Sequence, residues 1–568
     1  MDSITSAELQ AVGKQLLEAG GLFAVQPMQV RGIAYERVFL ASNLSLRDFL
    51  SMAMMKVADR EFIVHGDMRM TIAETWAASA QIADVLMREH DIGPGKRVAI
   101  AMRNYPEWII AYFGIIATGA TVVPLNAWWK SEELQYSLED SGTQIVFCDE
   151  KRMGLLEPIK EALGLKTILV RSKASGADDH WDKCIGRAKT SDMPKTPVDP
   201  DSDFCILYTS GSTGKPKGVM LTHRGAISAL LSWAFLSEVI KTLRPETNFI
   251  PDDPKILMVL PLFHVTASHS LVLLSFIMGR TMVMMDRWEA DKALSLIKKE
   301  KITNFTGVPT MTHELVALAK PGELDSMVDI TTGGAKRPEQ HVAEQFDKFP
   351  KIVPGSGYGL TETNALGSHI ALMDYVKRPG SAGRVIPPLS EFAIWGEDDK
   401  PLPIGEVGEV VIKSPANFRG YLNMPEETAR SLTEDGWFRT GDLGKFDEEG
   451  FLYIVDRVKD LIIRGGENIS CLEVENAIYK FPGIAEVSVF AVPDDRLNEI
   501  VGAAIFPKQG VDLDLTALIE FLREGLAGFK VPERIWVSPQ KLLRGGTGKI
   551  DKRAVRDIAL QFPAQYSA

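Results

Sequence analysis

Only four cysteines occur in this chain of 568 residues, and Cys148, Cys184, Cys205 and Cys471 lie too far apart for a zinc site or a disulfide framework. All four read as structural residues of a reducing compartment. A basic surplus is also missing: 63 Lys and Arg against 75 Asp and Glu leave a net charge of -12. That argues against a protein built to grip nucleic acid, where clustered cations dominate. Long apolar runs are scarce. The longest, 227–235 and 271–279, fall well short of the roughly 18 residues of a membrane span, so no integral membrane segment is expected. The first ten residues carry Asp2 and Glu8 and no basic region ahead of an apolar one, which does not read as a secretory signal. The expectation is a cytoplasmic protein.

Hydrophobic residues make up 45% of the chain and charged residues 24%, the balance of a globular protein long enough for several domains. Short Val/Ile/Leu-rich runs at 98–102, 121–125, 145–148 and 167–170 read as buried strands. Between them 71–89 has a helical apolar face through Ile72, Trp76, Ile82 and Leu86. Ile227, Leu230, Leu231 and Ala234 form a second helical stripe. Such alternation predicts an α/β protein, with β-sheets flanked by helices in a large N-terminal domain of several subdomains. A polar stretch with three prolines at 189–203 reads as a surface linker. After a strand at 451–456 comes the charged run Arg457-Val458-Lys459-Asp460, where the main boundary is expected. Domains of 1–458 and 459–568 follow, the second a small α+β unit with helices at 471–480 and 515–526 and strands at 487–492 and 501–506.

The strongest local signal is Tyr208-Thr209-Ser210-Gly211-Ser212-Thr213-Gly214-Lys215-Pro216-Lys217-Gly218, set between two apolar runs. Glycines let backbone N–H groups turn toward an anion, the Ser and Thr hydroxyls add donors, and Lys215 and Lys217 supply charge suited to phosphate. Pro216 after Lys215 departs from the Walker A pattern. Further along stands Tyr358-Gly359-Leu360-Thr361-Glu362-Thr363: an aromatic face suits a purine, and a carboxylate beside phosphates needs a cation. Taken alone, this hexapeptide fits a helix cap equally well. Thr332-Gly333-Gly334-Ala335 reads as a tight turn, Trp437 to Leu443 carries Asp442, and Arg457 lies fifteen residues beyond it.

Together, and in this order, these motifs resemble the adenylate-forming superfamily of acyl-CoA and aryl-CoA synthetases, luciferases and peptide-synthetase adenylation domains. The resemblance runs from about Met70 to Lys549, leaving only the first sixty or so residues without a motif. It implies that the loop from Thr209, Ser210, Gly211, Ser212, Thr213 and Gly214 to Lys215 and Lys217 holds the ATP phosphates. It implies further that Gly334 and Ala335 pack on one adenine face and Tyr358 on the other, that Thr361 contacts phosphate and Glu362 binds Mg2+, and that Asp442 and Arg457 take the ribose. His264, in Pro261-Leu262-Phe263-His264-Val265, would gate the carboxylate and later the thiol. Lys549, in Gly545-Gly546-Thr547-Gly548-Lys549, would bridge carboxylate and α-phosphate. The small domain would be mobile, pivoting near Lys459, and in its second orientation Gly465 and Gly466, a turn leading from a strand to a helix, would line the passage for coenzyme A. Departures are Asp456 where Gly is common, Lys336-Arg337 beside the adenine turn, and Gly545-Gly546 in a loop that usually contains Pro.

The activity so implied is ATP-dependent activation of a carboxylic acid to an acyl-adenylate, followed by transfer to coenzyme A. A fatty acid is favoured, with an aryl or other small acid, or a carrier-protein thiol as acceptor, as alternatives. The acyl pocket is expected near Trp233, His264, Gly334 and Ser356. No nucleic-acid partner is expected, and a homodimer is compatible with the reading.

Overall fold

The computed structural model describes residues 3–209, 215–247 and 250–567. Two large sheets dominate the N-terminal part. The first has eight strands and runs from Gly420–Tyr421 through Lys217–Thr222, Asp203–Thr209, Thr121–Pro124, Arg97–Ala101, Ile145–Asp149 and Lys166–Val170 to Asp179–His180. The second has nine, and its centre is the parallel set Val353–Gly359, Asp329–Gly333, Asn304–Gly307, Lys255–Met258 and Thr281–Met284. One apolar core spans both sheets, with Val98, Ile100 and Val122 in the same cluster as Ile256, Val283 and Phe305. The helix Pro106–Thr118 lies wholly within it, started by Pro106 and stopped at Gly119 in the left-handed region. Ile72–His90 packs beside it, opened by a Thr71–Glu74 capping box.

The predicted strands and helices are found within a residue or two, except that the strands read at 487–492 and 501–506 start three residues earlier, as Ile484–Asp494 and Asn498–Pro507. Sequence inspection passed over the length of His223–Leu243, a helix long and apolar enough to cross a membrane by length and composition. It is mostly buried, as a core helix is. The helix Ser6–Ala19, from the stretch without a motif, packs along it, with Gly13 opposite Phe235 and Arg244 paired to Glu8 at 3.5 Å. A four-stranded antiparallel sheet ending in Leu452–Arg457 closes the large domain. The small C-terminal domain has its own core around Ile462, Val474, Val501, Leu518 and Ile535, separate from that of the large one.

Two expectations change. Gly465-Gly466 is not a strand-to-helix turn but the tip of a hairpin between Ile462–Arg464 and Glu467–Ile469. Both glycines have positive φ, 57° and 94°, as a two-residue hairpin turn demands. The second change concerns the loop at 545–549, whose glycines suggest slackness. It is closed by Gly545 N–H to Lys549 O and Gly548 N–H to Gly545 O, both 2.9 Å.

Candidate active site

The C-terminal loop docks onto the large domain. Arg544 Nη1 donates to Thr310 Oγ1 at 2.8 Å and to Gly548 O at 3.0 Å, and Lys541 pairs with Glu314 at 2.5 Å. Gly546 has no room for a side chain, since a Cβ there would stand 2.8 Å from Asn126 and Trp128. These contacts deliver Lys549 over Gly334: a Cβ on Gly334 would meet Lys549 Cε at 3.0 Å and Nζ at 3.1 Å. Burial and the nearby Arg457 push the Lys549 ammonium down to about 8, against the pull of Asp442. His264 lies within electrostatic reach of Lys549 but is not among the residues lining the cavity beneath Gly334. Burial, Lys549 and His269 hold its imidazole down to about 3, so the ring is neutral at pH 7. Its Nδ1 accepts from Thr266 N–H at 3.4 Å, which leaves Nε2 as the protonated nitrogen.

A second group converges beside it. Tyr358, near the end of strand Val353–Gly359, donates its hydroxyl to Asp442 Oδ2 at 2.7 Å, and Arg457 Nε pairs with Asp442 Oδ1 at 2.9 Å. Asp442 is 3% exposed, and burial raises its carboxyl despite both partners. Thr361 and Glu362 open the short 3-10 turn Thr361–Thr363, both buried, and Glu362 Oε1 accepts from Tyr421 hydroxyl at 2.9 Å. Burial raises the Glu362 carboxyl as well.

Of the predicted phosphate loop, Thr209 ends a strand that pairs with Lys217 of the next. Ser210, Gly211, Ser212, Thr213 and Gly214 lie outside the described residues. Lys215 is exposed, 5.0 Å from the Tyr136 ring, whereas Lys217 is paired with Glu427 and packs 5.1 Å from the Tyr421 ring. Ala335 is exposed beside Gly334, while Arg337 turns inward to His341 O and Gln345 Oε1, each 2.8 Å away. The Gly465-Gly466 tip is exposed and rests on Leu497 of its own domain. Lys459 is exposed in the 3-10 turn Val458–Asp460. Asp456 is buried: its Oδ2 accepts from Leu472 N–H at 3.2 Å, and Val455 O accepts from Ser470 Oγ at 2.9 Å, two contacts that join the domains across the expected pivot.

A cavity of about 150 Å³ opens beneath Gly334. Trp233 walls one side and the sheet the other. Residues of one sheet face alternate along a strand, so Gly355, Gly357 and Gly359 share one face: Thr331 covers Gly355, Ala365 crowds Gly359, and a Cβ on Gly357 would point at Trp233 from 3.6 Å. Ser356 belongs to the opposite face, where its hydroxyl is within reach of Tyr375, so it does not line the pocket as expected. Asn304 and Thr306, and Asp329 and Thr331, pave the floor by the same alternation. A segment of π-helix, Thr266–Leu273, brings Thr266 and Ser270 to the wall. Sequence reasoning missed this paving. Its signal was a strand with glycine at every second position beside two buried strands with polar residues at every second position.

Models of known families match most of the chain: the AMP-binding enzyme model covers residues 51–422 and the AMP-binding enzyme C-terminal domain model residues 473–549. The chain belongs to the AMP-binding enzyme family. It is thus an adenylate-forming enzyme of the acyl-CoA ligase group, as the motifs implied, and the α/β architecture with a small C-terminal domain is that of the family. It is 34% identical over 514 residues to the long-chain-fatty-acid–CoA ligase FadD13 of Mycobacterium tuberculosis, an alignment covering 88% of this chain and 94% of that protein. To a feruloyl-CoA synthase of an Amycolatopsis species it is 33% identical, over 87% and 94% of the two chains. The o-succinylbenzoate coenzyme A synthetase of Bacillus subtilis, solved with ATP and magnesium ion, superposes with a TM-score of 0.75 at 28% identity, covering 89% of this chain and 99% of that one. Relatives that act on such different acids leave the acid of this enzyme to its own pocket.

Proposed function

We propose that this enzyme condenses a compact carboxylic acid with ATP to an acyl-adenylate and then transfers the acyl group to coenzyme A. The observation that carries the reading is the placement of Lys549 over Gly334, within electrostatic reach of neutral His264, beside the Tyr358–Asp442–Arg457 group and at the cavity that Gly334 lines. In the first step the carboxylate attacks the α-phosphorus of ATP in line and pyrophosphate leaves. Lys549 would stand over both the attacking carboxylate and the α-phosphate, neutralising charge as it builds. Asp442 would accept from the ribose hydroxyls, with Tyr358 against adenine and the loop from Thr209 to Lys217 around the phosphates. Glu362 and Thr361 present the oxygen donors Mg2+ prefers, and an ion held there would offset the burial that raises the Glu362 carboxyl. Magnesium supplies charge neutralisation of the polyphosphate.

In the second step the thiol of coenzyme A attacks the anhydride carbonyl and AMP leaves. For this we place the boundary between 458 and 459 and the pivot at Lys459, so that Lys549 withdraws and the Gly465-Gly466 hairpin approaches. Contacts joining Val455 and Asp456 to Ser470 and Leu472 would then part.

The cavity narrows the acid. Its volume of about 150 Å³ is on the scale that accepts a benzene-sized group. That favours an aryl or medium-length acid over a long fatty chain. A panel of acids graded in length and ring content, scored for AMP and thioester release, tests the proposal. Best turnover with palmitate-length chains would overturn the compact-acid reading, and absence of acid-dependent AMP release would overturn the function.

A further inference from the structure

The far end of the cavity is polar in an unusual way. Arg280 lies in its wall, just past the left-handed Gly279 that ends the helix Leu274–Met278. Its backbone is pinned by Arg280 N–H to Ser275 O at 2.9 Å, and Gly279 is wedged against Arg60 and Val57. Yet Arg280 Nε and Nη2 are buried and make no hydrogen bond among the described residues. A buried guanidinium with idle donors costs folding energy that a plain hydrocarbon tail could never recover.

The neighbouring carboxylate does not fill the gap. Asp329 senses the charge of Arg280, but its own oxygens are taken by Thr331 Oγ1 at 2.8 Å and by the Asn304 amide. A carboxyl, itself raised by burial, thus stands near the guanidinium, while the hydrogen-bond donors of Arg280 remain open. The Trp233 indole N–H, also of the cavity lining, is buried and has no acceptor among the described residues. Along the strand, Asp329 and Gly333 are separated by roughly 13 Å at ~3.3 Å per residue, which sets the span from this end to the activated carboxylate.

We propose that the acid carries a neutral carbonyl oxygen at its remote end, a ketone on a chain or ring, and that the Arg280 guanidinium donates to it. The inference rests on the reading that this cavity holds the acyl part. A second carboxylate fits less well, because the Asp329 carboxyl already stands near Arg280 and two acidic groups buried at one end would disfavour each other's charge.

The test compares decanoic acid, the keto acid of the same length with its carbonyl next to the terminal methyl, and the corresponding dicarboxylic acid, sebacic acid. Steady-state kcat/KM for thioester formation is read for the wild type, Arg280→Met and Arg280→Lys, with melting curves to confirm folding. The expected result is at least a tenfold preference of the wild type for the keto acid over decanoic acid, lost in Arg280→Met and partly kept in Arg280→Lys. Equal rates for the keto acid and decanoic acid in the wild type would overturn the inference without touching the proposed function, as would a preference for sebacic acid. AMP release that ignores all acids would overturn the function itself and the inference with it.

Discussion

Gly334→Ala is the sharpest test of where Lys549 sits during adenylation. Gly334 has φ +77°, a conformation that costs an L-residue roughly 1–2 kcal/mol. The added methyl would also stand 3.0 Å from Lys549 Cε and 3.1 Å from Nζ, closer than the ~3.5–4.0 Å of an ordinary carbon contact. A lysine tip yields, so the outcome is displacement by about half an ångström and not a clash. A hydrogen bond between charged groups is worth about 1.5–3 kcal/mol and needs a separation near 2.7–3.2 Å, so such a shift forfeits about 1 kcal/mol. The backbone strain is common to free enzyme and transition state and lowers the melting temperature, whereas the displaced lysine raises the barrier by about 1 kcal/mol, roughly fivefold in acid-dependent ATP–pyrophosphate exchange. Thioester formation from preformed acyl-adenylate should be little changed. Making the same change in a Lys549→Ala background removes the steric part, so the pair should couple by about 1 kcal/mol. Full additivity, or equal losses in both half-reactions, would mean that Lys549 is not over Gly334 when the adenylate forms.

Three other outcomes are expected. With Lys549 pushed down to about 8, its charged form predominates below that pH and is lost above it, so kcat/KM for ATP in the adenylation half-reaction should be flat below pH 8 and decline above it. In Lys549→Arg, any residual activity should lack that decline; an unchanged profile would assign the titration elsewhere. Asp442→Ala should weaken ATP binding, read by calorimetry, by roughly 10–150-fold for each lost bond of about 1.5–3 kcal/mol, with acid affinity little changed. Lys459→Pro fixes φ near about -65° at the pivot and should spare pyrophosphate release while losing most thioester formation; parallel loss of both, with a native circular dichroism spectrum, would remove Lys459 from the hinge.

The elements that read clearly from the sequence are those whose signal is local. The paired strands Asp203–Thr209 and Lys217–Thr222 need only the two apolar runs that flank the motif, and Asp442, Tyr358 and Lys549 sit in short motifs of their own. What escaped depends on pairing across distance. Lys217 looks free to bind phosphate until Glu427, far along the chain, is brought against it. Arg280, Asn304 and Asp329 precede or begin three different strands, and only parallel pairing of those strands gathers them at one end of the pocket. The face of Ser356 follows from alternation once the sheet is known, and the π-helix at Thr266–Leu273 has no sequence signature that periodicity would detect.

Asp456 illustrates why the departures from the family pattern carry information. Glycine there would leave the N-terminal turn of the helix Cys471–Tyr479 with one fewer acceptor, whereas Asp456 Oδ2 takes the Leu472 N–H and lies near the positive end of the helix dipole. The contact crosses the proposed pivot, together with Ser470 to Val455, Arg544 to Thr310 and Lys541 to Glu314. Each is a hydrogen bond or partly exposed ion pair, worth of order 0.5–1.5 kcal/mol. A few such bonds can hold the small domain in place for adenylation and still part when pyrophosphate leaves, because water replaces each bond as it opens. An apolar interface of equal area would lock the orientation, since burial at about 25 cal/mol per Å² has no substitute in water. The polar contacts of the seam, which stand beside the His341–Tyr479 ring contact and Gly548 against Met311 and Val308, therefore suit the proposed two-step use of one small domain, and Asp456 adds a bond to the side of the balance on which Lys549 faces Gly334.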